Sequence, residues 1–325
     1  KFSVYAVGFY NQENLFDTCH DEGKKDYEYL PNKGWNGMKY TNKLRNMSKA
    51  LADMGTDVLP NVGCAFIGLS EVENHKVLDA LVDQAPLKAR NMKYVHIEGP
   101  DRRGIDCALL YNPSLFSVKN VKLLPYVQEL AKDSAFFTRG FLTVRGEMAG
   151  DDVAVIVCHW PSRFSGPFYR ESAARQVKVI KDSLLNVNQE MKIFVMGDMN
   201  DDPVNKSMHV YLQAKPEISQ VGAGDMYNPW YNVLAKEGKG TLFYSGNWNL
   251  FDQIVITPNL LNKDAKKKDY SSLKYWKSHI FRRDYLIQQE GQYKGAPLRT
   301  TAGGRWLNGY SDHLPVVMYL VKEKK

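Results

Sequence analysis

Apolar residues along this chain gather in short runs separated by polar, turn-forming stretches. Nine such runs are rich in Val, Ile, Phe and Tyr and read as strands: Phe2 to Tyr10, Cys64 to Leu69, Met92 to Ile97, Ile105 to Tyr111, Phe136 to Val144, Val153 to Cys158, Ile193 to Met196, Phe251 to Thr257 and Leu314 to Val321. Two segments have a helical period instead. Tyr40, Leu44, Met47, Leu51 and Met54 recur at alternating spacings of four and three, closed by Gly55. Ala173, Val177, Ile180 and Leu184 form a second apolar stripe, with Arg170, Arg175, Lys178 and Lys181 on the other faces. Each predicts an amphipathic helix covering one face of a sheet. The polar stretches Thr18 to Asn36 and Asn259 to Arg305 read as elaborated loops within a domain. Strands outnumber helices without alternating with them, which argues against a doubly wound parallel sheet. The pattern predicts an α/β fold of two sheets packed face to face with helices outside.

Composition changes this picture little. A chain of 325 residues, 44% hydrophobic, can bury a full core as one large domain or as two. The 43 basic residues exceed the 36 acidic ones for a net charge of +7, compatible with an anionic partner and equally with simple solubility. Lys266, Lys267 and Lys268 stand beside Asp264 and Asp269 and read as a solvated loop. Cys19, Cys64, Cys107 and Cys158 show no CxxC spacing, so neither a zinc site nor a disulfide framework is indicated. No apolar run has the length of a membrane-spanning helix and no signal peptide is visible. The start at Lys1-Phe2-Ser3, with no methionine and directly in a strand, suggests that an upstream segment was removed, with a secreted or periplasmic location as one option.

The candidate chemistry sits at the ends of the strand-like runs. Asn11-Gln12-Glu13-Asn14 follows the first run, where asparagines also suit an ordinary turn. Ser70-Glu71-Val72-Glu73-Asn74 ends the second in acids; Glu71 offers a hard cation an anionic oxygen at a rigid strand end, while the same residues suit a helix N-terminus. Cys158-His159-Trp160-Pro161-Ser162-Arg163 delivers a histidine and then an arginine at a strand tip. Gly197-Asp198-Met199-Asn200 presents a carboxylate and an amide at i and i+2, able to handle a proton and a phosphoryl oxygen, or to form a turn. Asp252 opens one strand and Ser311-Asp312-His313 precedes another. A buried carboxylate bonded to one imidazole nitrogen fixes the tautomer and leaves the other nitrogen free for a proton from water.

Taken in order, Asn-x-Glu-Asn-Leu-Phe, Leu-Ser-Glu-Val-Glu-Asn, Gly-Ile-Asp-x-Ala-Leu-Leu-Tyr, Cys-His-Trp-Pro-Ser-Arg, Gly-Asp-Met-Asn-Asp-Asp-Pro, Phe-Asp-Gln-Ile-Val-Ile and Ser-Asp-His-Leu-Pro-Val resemble the endonuclease/exonuclease/phosphatase superfamily, whose members share the DNase I-like fold. The form of the motifs is closer to bacterial nuclease-type members. The resemblance runs from Tyr10 to Val316. It implies a four-layer α/β/β/α sandwich and one domain over residues 1–325.

Residue by residue, it implies Glu71 as principal Mg²⁺ (or Mn²⁺) ligand, with Asn11, Glu13 and Asp312 near the metal or its waters. His313, oriented by Asp252, is the implied base toward water. Asp198 orients the nucleophile or protonates the leaving oxygen. Asn11, Asn200 and His159 bind phosphoryl oxygens. Arg103, Arg139 and Arg163 are expected as substrate-side cations, while Asp106 either joins the site or satisfies backbone between buried strands. The activity implied is Mg²⁺-dependent hydrolysis of phosphodiesters by direct water attack, with nucleic acid the favoured substrate and a monomer expected. A phosphomonoesterase, a phospholipid or inositol-phosphate phosphatase, and a non-catalytic binding module stay open as alternatives.

Overall fold

The computed structural model describes residues 1–130 and 136–325. Its strands, in chain order, begin with β1 (Phe2–Leu15), β2 (Cys64–Val72), β3 (Lys93–His96), β4 (Asp106–Tyr111), β5 (Phe116–Leu124), β6 (Phe141–Met148), β7 (Asp151–His159) and β8 (Lys192–Asp198). They continue with β9 (Ala214–Lys215), β10 (Met226–Tyr227), β11 (Leu242–Tyr244), β12 (Asn247–Asn249), β13 (Asp252–Ile256), β14 (Lys274–Ile280), β15 (Thr301–Ala302), β16 (Arg305–Trp306) and β17 (Val316–Glu323). The helices are α1 (Gly37–Asp53), α2 (His75–Val82), α3 (Ala85–Lys88), α4 (Pro167–Val187) and α5 (Tyr231–Ala235).

Two mixed sheets, ordered β14-β17-β1-β2-β4-β3 and β5-β6-β7-β8-β13-β10-β9, pack face to face. Side-chain alternation sorts each strand between two cores. Val7, Phe9, Val155, Val157, Phe194, Met196 and Ile254 point between the sheets. Ala6, Tyr10, Ile67 and Leu69 face outward under Leu44, Met47 and Leu51 of α1 and Val77, Leu78 and Leu81 of α2. On the opposite side, Ala154, Ile156, Val195 and Val255 face Ala173, Ala174 and Val177 of α4. The result is the α/β/β/α layering expected from the sequence. Burial on both faces explains why the central strands read as unbroken apolar runs.

Several boundaries differ for identifiable reasons. β1 and β2 run on past their apolar runs, through Asn11–Leu15 and Ser70–Val72, because their polar ends remain paired across a register irregularity. The run expected from Phe136 becomes a strand only at Phe141, after Gly140 at φ +73°. β5 escaped the pattern because it alternates toward solvent with Lys119, Asn120 and Lys122. β14 lies inside Asn259–Arg305, the stretch read as loop, since an edge strand holding Lys274, Lys277 and His279 is only half buried. No helix among the described residues is long and apolar enough to cross a membrane. Cys64, Cys107 and Cys158 are buried free thiols.

Candidate active site

The inter-sheet core ends in polar side chains at one edge, by simple continuation of its two-residue period. Val155-x-Val157 is followed by His159, Phe194-x-Met196 by Asp198, Ile256-x-Ile254 by Asp252, and Val7-x-Phe9 by Asn11. The register sets His159 and Asp252 on either side of Asp198, one on β7 and one on β13. Asn11 of β1 lies beside Ser70 of β2, and Glu71 follows. Glu13, Asn14, Glu71 and Asn200 all adopt positive φ, between 45° and 60°. Such backbone costs energy at residues other than glycine and is characteristic of functional sites. Here it breaks the alternation at the ends of β1 and β2, beside the place where Asn11 and Glu71 meet.

The Asn11 amide donates to Glu71 Oε2 at 2.8 Å and to Asp198 Oδ2 at 3.0 Å, bridging two buried carboxylates. His159 Nε2 stands 3.6 Å from Asp198 and 3.9 Å from Glu71. His313 Nδ1 meets Asp252 Oδ2 at 2.7 Å, and its Nε2 faces Asp198 Oδ2 at 3.7 Å and Asp312 Oδ1 at 3.8 Å. Thr241 Oγ1 donates to the same Asp252 oxygen at 2.5 Å, and Ser311 Oγ receives the His313 amide while donating to Asn11 O. The dyad is thus held from three directions.

Electrostatics follows this packing. Burial raises the Asp198 carboxyl to about 7, opposed by His313 and reinforced by Asp252 and Glu71. Burial disfavours charge on His313, but the carboxylates of Asp252, Asp312 and Asp198 outweigh it and hold the imidazole well above its ordinary value. His159 goes the other way: burial, then the Arg139, Arg103 and His313 charges, push it well down, so it stays neutral. Two histidines in one site therefore differ in charge.

Glu71, His159 and Asp198 place one ligand atom each within 4.8 Å of one another, and so do Asp198, Asp252 and His313. Among the described residues, Asp252 Oδ1 and Asp312 Oδ1 are buried without a hydrogen-bond partner. Converging carboxylate oxygens match the donor chemistry of a hard divalent cation. Glu71 and Asp198 supply such oxygens in the first group.

Other expected residues fall elsewhere. Both Glu13 oxygens are engaged, one by Arg299 Nε at 3.0 Å and one by the Thr300 amide at 2.7 Å, so Glu13 anchors the 299–300 loop. Arg139 is buried and spends its guanidinium on Asp101 Oδ2 and on the carbonyls of His159 and Trp160; it supports the end of β7 and is not a substrate-side cation. Arg170 is likewise buried, bound to Asp201 at 2.9 Å. Asp106 accepts from the Gly99 amide and pairs with His96, the backbone-satisfying alternative. The Asn200 amide donates to Trp160 O, which ties the two loops together.

Arg103 and Arg163 do line the edge. Arg103 Nη2 binds Asn14 Oδ1 at 2.8 Å and approaches Glu71 at 3.5 Å with half its side chain exposed. Arg163 Nε reaches Asn200 O at 3.2 Å, its guanidinium lying 4.8 Å from the Phe251 ring centre. Sequence reasoning missed Thr241, Arg299 and Ser311 as supports. Thr241 and Arg299 lie in stretches without a periodic or motif signal, whereas Ser311 stood within the Ser-Asp-His motif.

A fold of two packed sheets with carboxylates, amides and a His–Asp pair at one edge defines a metal-dependent phosphoester hydrolase. The chain belongs to the Endonuclease/Exonuclease/phosphatase family, whose model matches residues 6–322. No curated protein matches it significantly by sequence. Among solved structures it resembles an endonuclease/exonuclease/phosphatase family protein from Bacteroides thetaiotaomicron, 13% identical with TM-score 0.59, over 99% of this chain and 96% of that one. A mannosyl-6-phosphatase of Bacteroides thetaiotaomicron is 14% identical with TM-score 0.59, over 97% of this chain and 99% of that one. TDP2 from D. rerio, complexed with a single strand DNA product, is 11% identical with TM-score 0.56, over 98% and 99% respectively.

Proposed function

We propose that this enzyme hydrolyses phosphodiester bonds of nucleic acid by direct attack of water, with Glu71, Asn11 and Asp312 holding Mg²⁺ or Mn²⁺, as a single catalytic domain assembled from both ends of the chain. The observation that carries this reading is the His313–Asp252 contact at 2.7 Å, with the free imidazole nitrogen turned toward Asp198 between the carboxylates. A divalent cation there supplies charge neutralisation for the phosphoryl oxygens. His159, neutral, would donate to those oxygens, while the amide of Asn11 orients Glu71 and Asp198.

His313 Nε2 and Asp198 Oδ2 face each other at 3.7 Å, so we assign them the two proton transfers. In its neutral form His313 Nε2 takes the proton of the attacking water as its oxygen bonds to phosphorus; Asp198, whose carboxyl burial raises to about 7, gives its proton to the leaving oxygen as the P–O bond breaks. Asp252, Asp312 and Asp198 hold His313 toward its protonated form, and a cation engaging Asp312 would offset part of that field. Nucleic acid is supported by Arg103 and Arg163, half exposed at this edge, and the exposed Arg102 next to Arg103 in the chain, by the net charge of +7, and by the strand bound to the TDP2 neighbour.

The test is metal-dependent turnover on DNA, RNA, sugar phosphates and phospholipids, beside calorimetric Mn²⁺ binding to wild type and Glu71→Gln. Nucleic-acid cleavage abolished by chelator, with metal affinity lowered at least about tenfold in the variant through loss of its anionic oxygen, is the expected result. Turnover confined to sugar phosphates would reject nucleic acid as the substrate, and undiminished activity in chelator would reject the metal.

A further inference from the structure

A cleft of about 620 Å³ opens between the β11–β12 hairpin and the loop from Arg282 to Ala296. That volume falls within the range of small-molecule sites, roughly 300–1,000 Å³. Its walls are of two kinds. Phe243 and Trp248, rings 5.2 Å apart and tilted by 58°, supply an aromatic face continued by Ile280. Lys239, Arg282 and Lys294 supply positive charge, against the single lining acid Glu237.

These cations are largely uncommitted. Lys239 meets Glu237 only at 3.6 Å, with both side chains more than half exposed. Among the described residues Arg282 reaches no acceptor closer than Gly295 O at 3.4 Å and Lys294 has no carboxylate at ion-pair distance. His279, also in the wall, is turned to Asp57 at 3.2 Å, and its burial lowers its tendency to charge. The cleft is separate from the phosphoester site but shares backbone with it. Leu314 lines it while the neighbouring His313 belongs to the dyad, and the Leu314 amide donates to Thr241 O at 2.8 Å.

We propose that this cleft is a second ligand site, taking a planar aromatic ring that bears a phosphate, the chemistry of a nucleotide. The ring lies against Phe243 and Trp248, since aromatic faces attract flat π systems. The phosphate meets Arg282 and Lys294, charged donors suited to an anion. The inference does not depend on which ester the catalytic site cleaves. A free nucleotide and the terminal nucleotide of a strand present the same chemistry, and both serve as probes.

The test uses the full chain in chelator, titrated with AMP by equilibrium dialysis, with adenosine, ribose 5-phosphate, decanoate and a 5′-phosphorylated single-stranded trinucleotide alongside. The site should bind AMP or the trinucleotide at least tenfold more tightly than adenosine or ribose 5-phosphate. The double variant Arg282→Glu, Lys294→Glu should weaken that binding at least tenfold while leaving turnover of bis(p-nitrophenyl) phosphate unchanged. These positions are exposed or half exposed, so the variant retains its core. Trp248→Leu, with unchanged unfolding temperature, should weaken AMP and adenosine alike. AMP and trinucleotide affinities untouched by charge reversal, or preference for decanoate over both, would overturn the proposal. Binding of AMP identifies free nucleotide as the source, and binding of the trinucleotide alone identifies a strand end.

Discussion

At the scale of single residues, the site is governed by which charges are buried beside which. His313 is positioned by Asp252, itself buried, with one oxygen serving both the imidazole and Thr241. On the proposed mechanism, His313→Ala and Asp198→Asn each lower kcat by ~10²–10⁴, the scale of losing positioned acid–base help. Steady-state kinetics with a parallel unfolding curve checks this, and wild-type kcat in either variant would remove that residue from the proton transfers. Glu73, two positions from Glu71, shows the opposite economy. Burial raises its carboxyl to about 9, helped by Asp17, Asp21 and Asp26 and opposed by the Asp17 amide. Its folded pKa lies above its unfolded value of 4.5, so the folded state keeps a proton that the unfolded chain has lost. The associated stability is fully present below about 4.5 and is lost as pH rises toward about 9. Melting temperatures at pH 5, 7 and 9 should show Glu73→Gln gaining on wild type as pH rises; parallel curves would show that Glu73 ionises normally.

At the scale of elements, the demanding feature is how closely β7, β8 and β13 approach at their functional end. A Cβ added at Gly197 would stand 2.2 Å from the backbone oxygen of Cys158. Backbone cannot yield as a flexible side-chain tip does, so the strands carrying His159 and Asp198 would have to separate. Gly197 is therefore needed for its missing side chain, and its φ lies outside the positive range. Gly197→Ala is expected to destabilise the protein by about 1–3 kcal/mol, the usual scale of overpacking. It should also lower kcat, because register partners His159 and Asp198 shift apart. Chemical denaturation together with kinetics measures both; an unchanged midpoint would mean that β7 accommodates the methyl group. The same reasoning makes the Gly-Asp-x-Asn motif a joint requirement of packing and chemistry.

At the scale of the molecule, charge matters through what remains accessible. Arg139 and Arg170 are buried in ion pairs, while Arg102, Arg103 and Arg163 stay exposed, and these three are the cations the proposed strand would meet. Three phosphate contacts imply a slope of log K against log salt of about −2 for a single strand. Binding of a short single strand to the inactive Glu71→Gln, Asp198→Asn variant should fall by more than about tenfold between low and physiological salt. Fluorescence anisotropy across a salt series reads the slope. A flat series would reject strand binding across these arginines without touching the His–Asp pair.

The sequence by itself determined the strand cores, the two main helices, the two-sheet architecture and the order of the polar motifs, because these depend on local periodicity and on chemistry at strand ends. Asn11, Glu71, His159, Asp198, Asp252 and His313 were legible as candidates for that reason, each at or just beyond an apolar run. Only the tertiary structure decided which of them meet. Asn11 reaches Glu71 and Asp198 across 60 and 187 positions, and Asp252 reaches His313 across 61. Only the fold could show that Arg139 is consumed by Asp101, that Glu13 is held by Arg299, and that Thr241 steadies the dyad. Local pattern records whether a residue favours burial. It does not record the partner waiting there, since that partner arrives from a distant part of the chain when the sheets close.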